Sequence, residues 1–142
     1  MTTATKQTVE TLAQEYCEKI TEANEAWLKK LRLNEDGTFD PWHLDEDGNY
    51  KTDDNPQYFT YMIGRKYFKV VAEEFDTFRG RNEWRDTTVH AFVDKVTGEV
   101  YKPAGWSKPA KHVRYDLSND LDRHKLHDPN RIDWAGGYLY LR

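Results

Sequence analysis

Between Val100 and Tyr115 the chain carries Lys102, Lys108, Lys111 and Arg114, one tryptophan and two prolines, and no acidic residue. Those residue types suit an anion that bears a flat ring. Trp106 offers a stacking face, the lysines are mobile ammonium groups, and the Arg114 guanidinium is a planar fork that can grip a phosphate at two points. Pro103 and Pro109 stiffen the segment, so less entropy is lost when a small ligand orders it. The competing structural reading is a solvated, lysine-rich connection in which Trp106 plugs the core. The basic run stands out because the whole chain has a net charge of -4. Residues 1–54 hold 13 Asp or Glu against 6 Lys or Arg, whereas 55–142 hold 12 against 15. An acidic whole is poorly suited to non-specific duplex binding, which needs many clustered phosphate contacts.

The acidic stretch 34–57 is a second place where residue types suggest a task. Phe39, Trp42 and Tyr50 stand among carboxylates there, a combination that fits docking against a basic protein. Asp45-Glu46-Asp47-Gly48 with Asp54 brings a calcium loop to mind, but His43 takes the first ligand position and Asp54 replaces the bidentate glutamate, so the motif fails. His124 and His127 have a spacing able to share a metal on one helix face, yet nothing supplies the remaining ligands that zinc requires. Lone Cys17 sits at helical spacing between Tyr16 and Ile20 and reads as a small core residue. No phosphate-binding glycine loop, nucleophile elbow or His-Glu-x-x-His motif occurs. Glu73, Glu74 and Asp76 with His90 are the nearest approach to an acid–base set, and charged outer strand faces look the same. The sequence therefore leans away from an enzyme and calls for no catalytic residue, cofactor or metal.

These groups need elements to hold them. Val9, Leu12, Tyr16, Ile20, Ala23, Trp27 and Leu31 recur every three or four residues, which predicts one amphipathic helix within 1–33, capped by Thr5 or Thr8. Residues 34–57 form an acidic loop or insertion in which Glu35-Asp36-Gly37-Thr38-Phe39 and Glu46-Asp47-Gly48-Asn49-Tyr50 repeat one turn pattern, with short hairpin pieces as one outcome. Aromatic and β-branched runs over Tyr58–Ile63, Tyr67–Phe75 and Thr87–Asp94 predict antiparallel strands within 58–102, with a turn at 79–82 and a tight hairpin at Asp94–Gly98. In the third strand Val89, Ala91 and Val93 alternate against Thr88, His90 and Phe92. Residues 103–142 comprise the basic loop, a short helix over Leu117–His127 capped by Ser118 or Asn119, and an apolar tail expected to be a strand or a docked segment. The fold class expected is α+β in a single domain, a long N-terminal helix on an antiparallel sheet of three to five strands. With no apolar run of membrane-spanning length and no signal-peptide pattern, the expected location is the cytoplasm, with no membrane partner.

The run His90–Ala104, Trp106, Pro109-Ala110-Lys111, Val113-Arg114-Tyr115 and the ending Asp133-Trp134-Ala135-Gly136-Gly137-Tyr138-Leu139-Tyr140 resemble a widespread group of small uncharacterised bacteriophage proteins. The resemblance implies a phage origin and brings no activity with it. Phage accessory proteins of this size include folds that sequester nucleotide messengers of bacterial immunity. That analogy, joined to the basic loop, gives the first functional expectation: a small phosphorylated nucleotide held by Trp106, Lys108, Lys111, Arg114 and Lys102, with a homo-oligomer as one arrangement. A host protein bound through Phe39, Trp42 and Tyr50 is the alternative, and single-stranded nucleic acid is the third.

Overall fold

In the computed structural model the described residues are 8–51, 57–76, 78–80, 83–133 and 135–140. Helix α1 runs over Val9–Arg32, and the Thr8 hydroxyl accepts from the Thr11 N–H at 3.1 Å to cap it. The other expected cap, Thr5, lies outside the described residues. Glu10 in the first turn and Lys29, Lys30 and Arg32 in the last complement the helix dipole. Leu12, Ala13, Tyr16, Cys17, Ile20 and Ala23 form the buried stripe. Trp27 and Leu31, expected on that stripe, are 46% and 65% exposed. Length explains the difference: 24 helical residues reach about 36 Å, whereas the strand beneath them, with 7 residues, reaches about 23 Å.

Five antiparallel strands follow in simple up-and-down order: β1 (Gln57–Ile63), β2 (Tyr67–Asp76), β3 (Glu83–Asp94), β4 (Glu99–Tyr101) and β5 (Tyr115–Asp116). A short helix, α2 (Asp120–Leu126), completes the α+β arrangement that the sequence predicts. Phe59, Phe68, Val70, Ala72, Ala91, Val93 and Val100 form the sheet side of the core against α1. The helix also guards the open edge of β1, where the Thr21 hydroxyl accepts from the Phe59 N–H at 2.9 Å.

The alternation expected in β3 breaks at His90. Val70 pairs with Ala91 but Val71 pairs with Val89, so His90 is an unpaired bulge residue. A bulge sends two successive side chains to nearly the same side. His90 thus joins Ala91 facing the core, 6% exposed and edge-on to Phe59 at 5.1 Å, and Val89 leaves that face.

The turn at Asp94–Gly98 forms as expected. The Asp94 carboxylate accepts from the Val96 and Thr97 N–H groups, and Gly98 takes φ +83°, a conformation that favours glycine. Burial raises the Asp94 pKa, but those N–H donors outweigh it and hold the group below its usual range. Residues 103–114, expected as a loop, instead extend β4 and β5 into a hairpin. Pro103 bridges Pro109, the Ala110 N–H donates to Lys102 O at 2.7 Å, and the Arg114 N–H donates to Val100 O at 2.8 Å.

Helix α2 is shorter than the expected 117–127, because Asp116 to Asn119 are spent on turn bonds. Asp116 Oδ1 accepts from the Ser118 N–H, and Asn119 caps by accepting from the Asp122 N–H. The tail is a docked segment: Gly137–Leu139 forms one 3-10 turn with Tyr138 and Leu139 both buried, where a strand would bury alternate residues. Trp134 of the resembling ending, and Leu141 and Arg142 that follow it, lie outside the described residues.

Candidate functional site

Strand β4 ends early, and that creates a cleft. It pairs with β3 only at Tyr101–Phe92 and Val100–Val93, after which Lys102 and Pro103 leave the ladder. Thr88, Val89 and His90 therefore have no β4 partner beside them. The docked tail crosses this gap with Ala135, Gly136, Leu139 and Tyr140, leaving a cavity of about 330 Å³ that Lys102 and Pro103 close on the other side. Ligand pockets begin at about 300 Å³, so the space lies at the lower end of the range for a small ligand.

A buried hydrogen-bond chain fixes the wall formed by the tail. Tyr16 Oη of α1 lies 2.5 Å from Tyr138 Oη, which lies 2.7 Å from Nε2 of His90. The Tyr115 hydroxyl donates to Tyr138 O at 3.1 Å. Burial pushes both the Tyr16 and the Tyr138 phenols well above their ordinary range, so each stays neutral and serves as a structural hydrogen-bonding group. Gly136 approaches His90 closely at φ +77°, and its N–H donates to Asp133 Oδ1 at 2.7 Å.

The residues singled out in the sequence do not all converge. Lys102 lines the cleft, half-buried, with Nζ 4.6 Å from the centre of the Tyr140 ring and 3.3 Å from Pro103 O. The Arg114 guanidinium is already engaged. Its Nε donates to Leu139 O at 2.6 Å, and Nη1 donates to Lys111 O and His112 O at 2.6 and 2.5 Å. It ties the hairpin to the tail through Nε and Nη1, so this part of the fork expected to grip phosphate serves as a brace. Trp106 does not plug the core. It is 46% exposed at the hairpin tip, with Lys69 Nζ 4.6 Å from its ring, while Lys108 and Lys111 project into solvent. An ammonium group and an aromatic face therefore meet in the cleft through Lys102 and Tyr140, with His90 in its lining and Trp106, Lys108 and Lys111 on the hairpin outside it. The sequence reading did not assign Tyr140, Tyr138 or Lys69. Only the apolar tail signalled the tyrosines, and no local pattern marks Lys69.

The model of one protein family spans residues 1–141. The chain belongs to that family, a family of unknown function (DUF7717). No curated protein and no solved structure matches the chain. No helix among the described residues is long and apolar enough to cross a membrane.

The remaining candidates of this DUF7717 member have structural placements. Leu33 bridges Phe39 and Leu44 bridges Tyr50, so the repeated turn pattern builds two successive hairpin-like units. The Phe39 and Tyr50 rings pack at 4.8 Å, the Tyr50 hydroxyl accepts from Arg32 Nη1 at 3.1 Å, and Lys29 lies 5.4 Å from the Tyr50 ring. Trp42 is the ring of this group that faces outward, 65% exposed. Asp54, like the rest of 52–56, lies outside the described residues. His124 is exposed at the end of α2, and His127 is partly buried with Nε2 unpartnered. No cluster among the described residues has the donors for a metal ion. Cys17 is buried in the core, where desolvation pushes its thiol up to about 12, so it is not a thiolate nucleophile at neutral pH.

Proposed function

We propose that this protein binds a small phosphorylated nucleotide-type ligand in the cleft between the bulged stretch of β3 and the docked tail. The observation that carries this reading is the half-buried Lys102 ammonium, held over the Tyr140 ring at the wall of the cavity. Lys102 pairs with phosphate, Tyr140 supplies a face for a base, and the bulged stretch at His90 forms the floor. Lys108 and Lys111 at the exposed hairpin add a positive field that steers an anion toward the cleft. The chain of neutral tyrosine hydroxyls behind the tail supports a pre-organised wall, which lowers the ordering cost of binding. The resemblance of the C-terminal third to phage proteins supports the setting: a phage accessory protein that sequesters a nucleotide signal of its host.

Isothermal calorimetry with mono- and dinucleotides tests the assignment. Lys102→Ala weakens binding tenfold or more, while Arg114→Lys, which keeps a donor to the tail, leaves affinity nearly unchanged. Equal affinity of wild type and Lys102→Ala would remove the cleft from the account. The second reading, capture of a host protein by the acidic stretch, is favoured by the exposed Trp42 beside the two Asp-Gly turns, and Trp42→Ala would then abolish capture without affecting nucleotide binding.

A further inference from the structure

Helix α1 covers one face of the sheet; on the other, Val71 and Phe92 are buried beneath their neighbours while Tyr58, Met62, Phe75 and Trp84 stand exposed. The strand register arranges this second face in rows. One row is Met62, Lys69, Phe92 and Tyr101; another, four residues further along β2, is Tyr58, Glu73 and Asp86, followed by Phe75 beside Trp84. The first end is aromatic and carries Lys66 and Lys69, with Asp94 beside Lys66 and Glu99 near Tyr101. Lys69 Nζ lies 5.9 Å from the Phe92 ring and 4.6 Å from Trp106, which arches over the face from its hairpin, and Lys66 Nζ lies 5.4 Å from Tyr67.

The far end is acidic and aromatic. Glu73 and Asp86 sit directly opposite each other, and no basic side chain among the described residues pairs with either. Burial, and then the neighbouring Asp86 carboxylate, raise the Glu73 pKa, as expected of two carboxylates set side by side. The acidity continues over the edge of β1 into a groove of about 480 Å³ lined by Glu18, Glu22, Glu25 and Tyr58. Trp84 lies 5.3 Å from Tyr58 and 5.4 Å from Phe75, and the three rings are 46%, 39% and 39% exposed. A continuous aromatic strip left open to water marks an interaction surface.

We propose that the occupant of this face is a second copy of the same chain, packed antiparallel about a two-fold axis near Val71. Lys69 and Glu73 are four residues apart on β2, about 13 Å at about 3.3 Å per residue, and Val71 lies midway. A two-fold axis there sets Lys69 of each copy against Glu73 of the other, and brings Trp106 onto the strip of Tyr58, Phe75 and Trp84. Such an interface is self-complementary, so it closes at a dimer. The parallel arrangement would set like charges together and is rejected by them. A uniformly negative nucleic acid would meet like charge at Glu73 and Asp86.

Sedimentation equilibrium on the full chain tests this, with the mass rising from 16.8 kDa toward twice that as concentration increases. Trp84→Arg, at an exposed position, holds the protein at the monomer mass. Glu73→Lys and Lys69→Glu are each monomeric alone, because each sets like charges opposite one another across the axis. An equimolar mixture of the two recovers a dimer, since both crossed pairs are then opposite in sign. A wild type that stays monomeric, a Trp84→Arg dimer of undiminished stability, or a mixture no heavier than its components would overturn the proposal.

Discussion

Tyr138→Phe removes one oxygen and takes a hydrogen-bond partner from two buried groups. The Tyr138 hydroxyl lies 2.5 Å from Tyr16 Oη and 2.7 Å from His90 Nε2, and both partners are buried. A buried polar group deprived of its partner costs about 1–3 kcal/mol, so two such groups sharing one environment give a loss of about 2–4 kcal/mol. Tyr16→Phe is the matched control. It removes the terminal member of the chain and leaves the Tyr138–His90 contact in place, so the expected loss is about 1 kcal/mol. In the double variant only His90 is left without its Tyr138 partner, and the loss should be smaller than the sum of the singles. Urea unfolding followed by tryptophan fluorescence measures all three, and a loss of 3 kcal/mol corresponds to a melting shift of roughly 10 °C at this size. A Tyr138→Phe variant that loses under about 0.5 kcal/mol, or no more than Tyr16→Phe, would refute the reasoning that this chain anchors the tail.

The Arg114 side chain donates to three carbonyls across the hairpin and the tail. Arg114→Ala should lose about 1.5–2 kcal/mol of stability in the same urea assay, the lower range for charge-assisted bonds near the surface, and an unchanged midpoint would deny the bracing role. Burial depresses the His127 pKa below its ordinary 6.5, so the folded state prefers the neutral ring and the unfolded chain takes up the proton first. Stability should therefore be fully present above pH 6.5 and fall as the pH drops below it. His127→Phe should flatten this part of the pH–stability profile, and an identical slope in the variant would contradict the assignment.

What could be read from the sequence follows from which interactions are local. The period of α1 and the runs of β1 to β3 announce themselves because each buried face repeats along the chain. The Asp94–Gly98 turn does so through its own side chain and glycine. The end of the buried helix stripe before Trp27 depends on strand length elsewhere, which no helical pattern encodes. The bulge at His90 arises from mismatch between neighbouring strands, so alternation alone sends Val89 to the wrong face. Residues 103–114 lack strand-like alternation because two prolines and a lysine-rich tip interrupt it, and their hairpin pairing is visible only in space. The same holds at the site. Lys102 was legible as a basic residue, but its partner Tyr140 is 38 positions away. Arg114 shows the reverse: a residue type suited to phosphate whose Nε and Nη1 donors serve carbonyls of its own fold.

The central claim is that the cleft of Lys102, Tyr140 and His90 holds a phosphorylated nucleotide. The most direct measurement is a titration of the isotope-labelled protein with a nucleotide, followed by amide and lysine side-chain NMR shifts. The account predicts saturable shifts concentrated at residues 88–90, 102–103 and 135–140, with the Lys102 ammonium resonance among those that move most. Shifts confined to Lys108, Lys111 and other exposed lysines that vanish with added salt, or no saturable shifts at all, would contradict it.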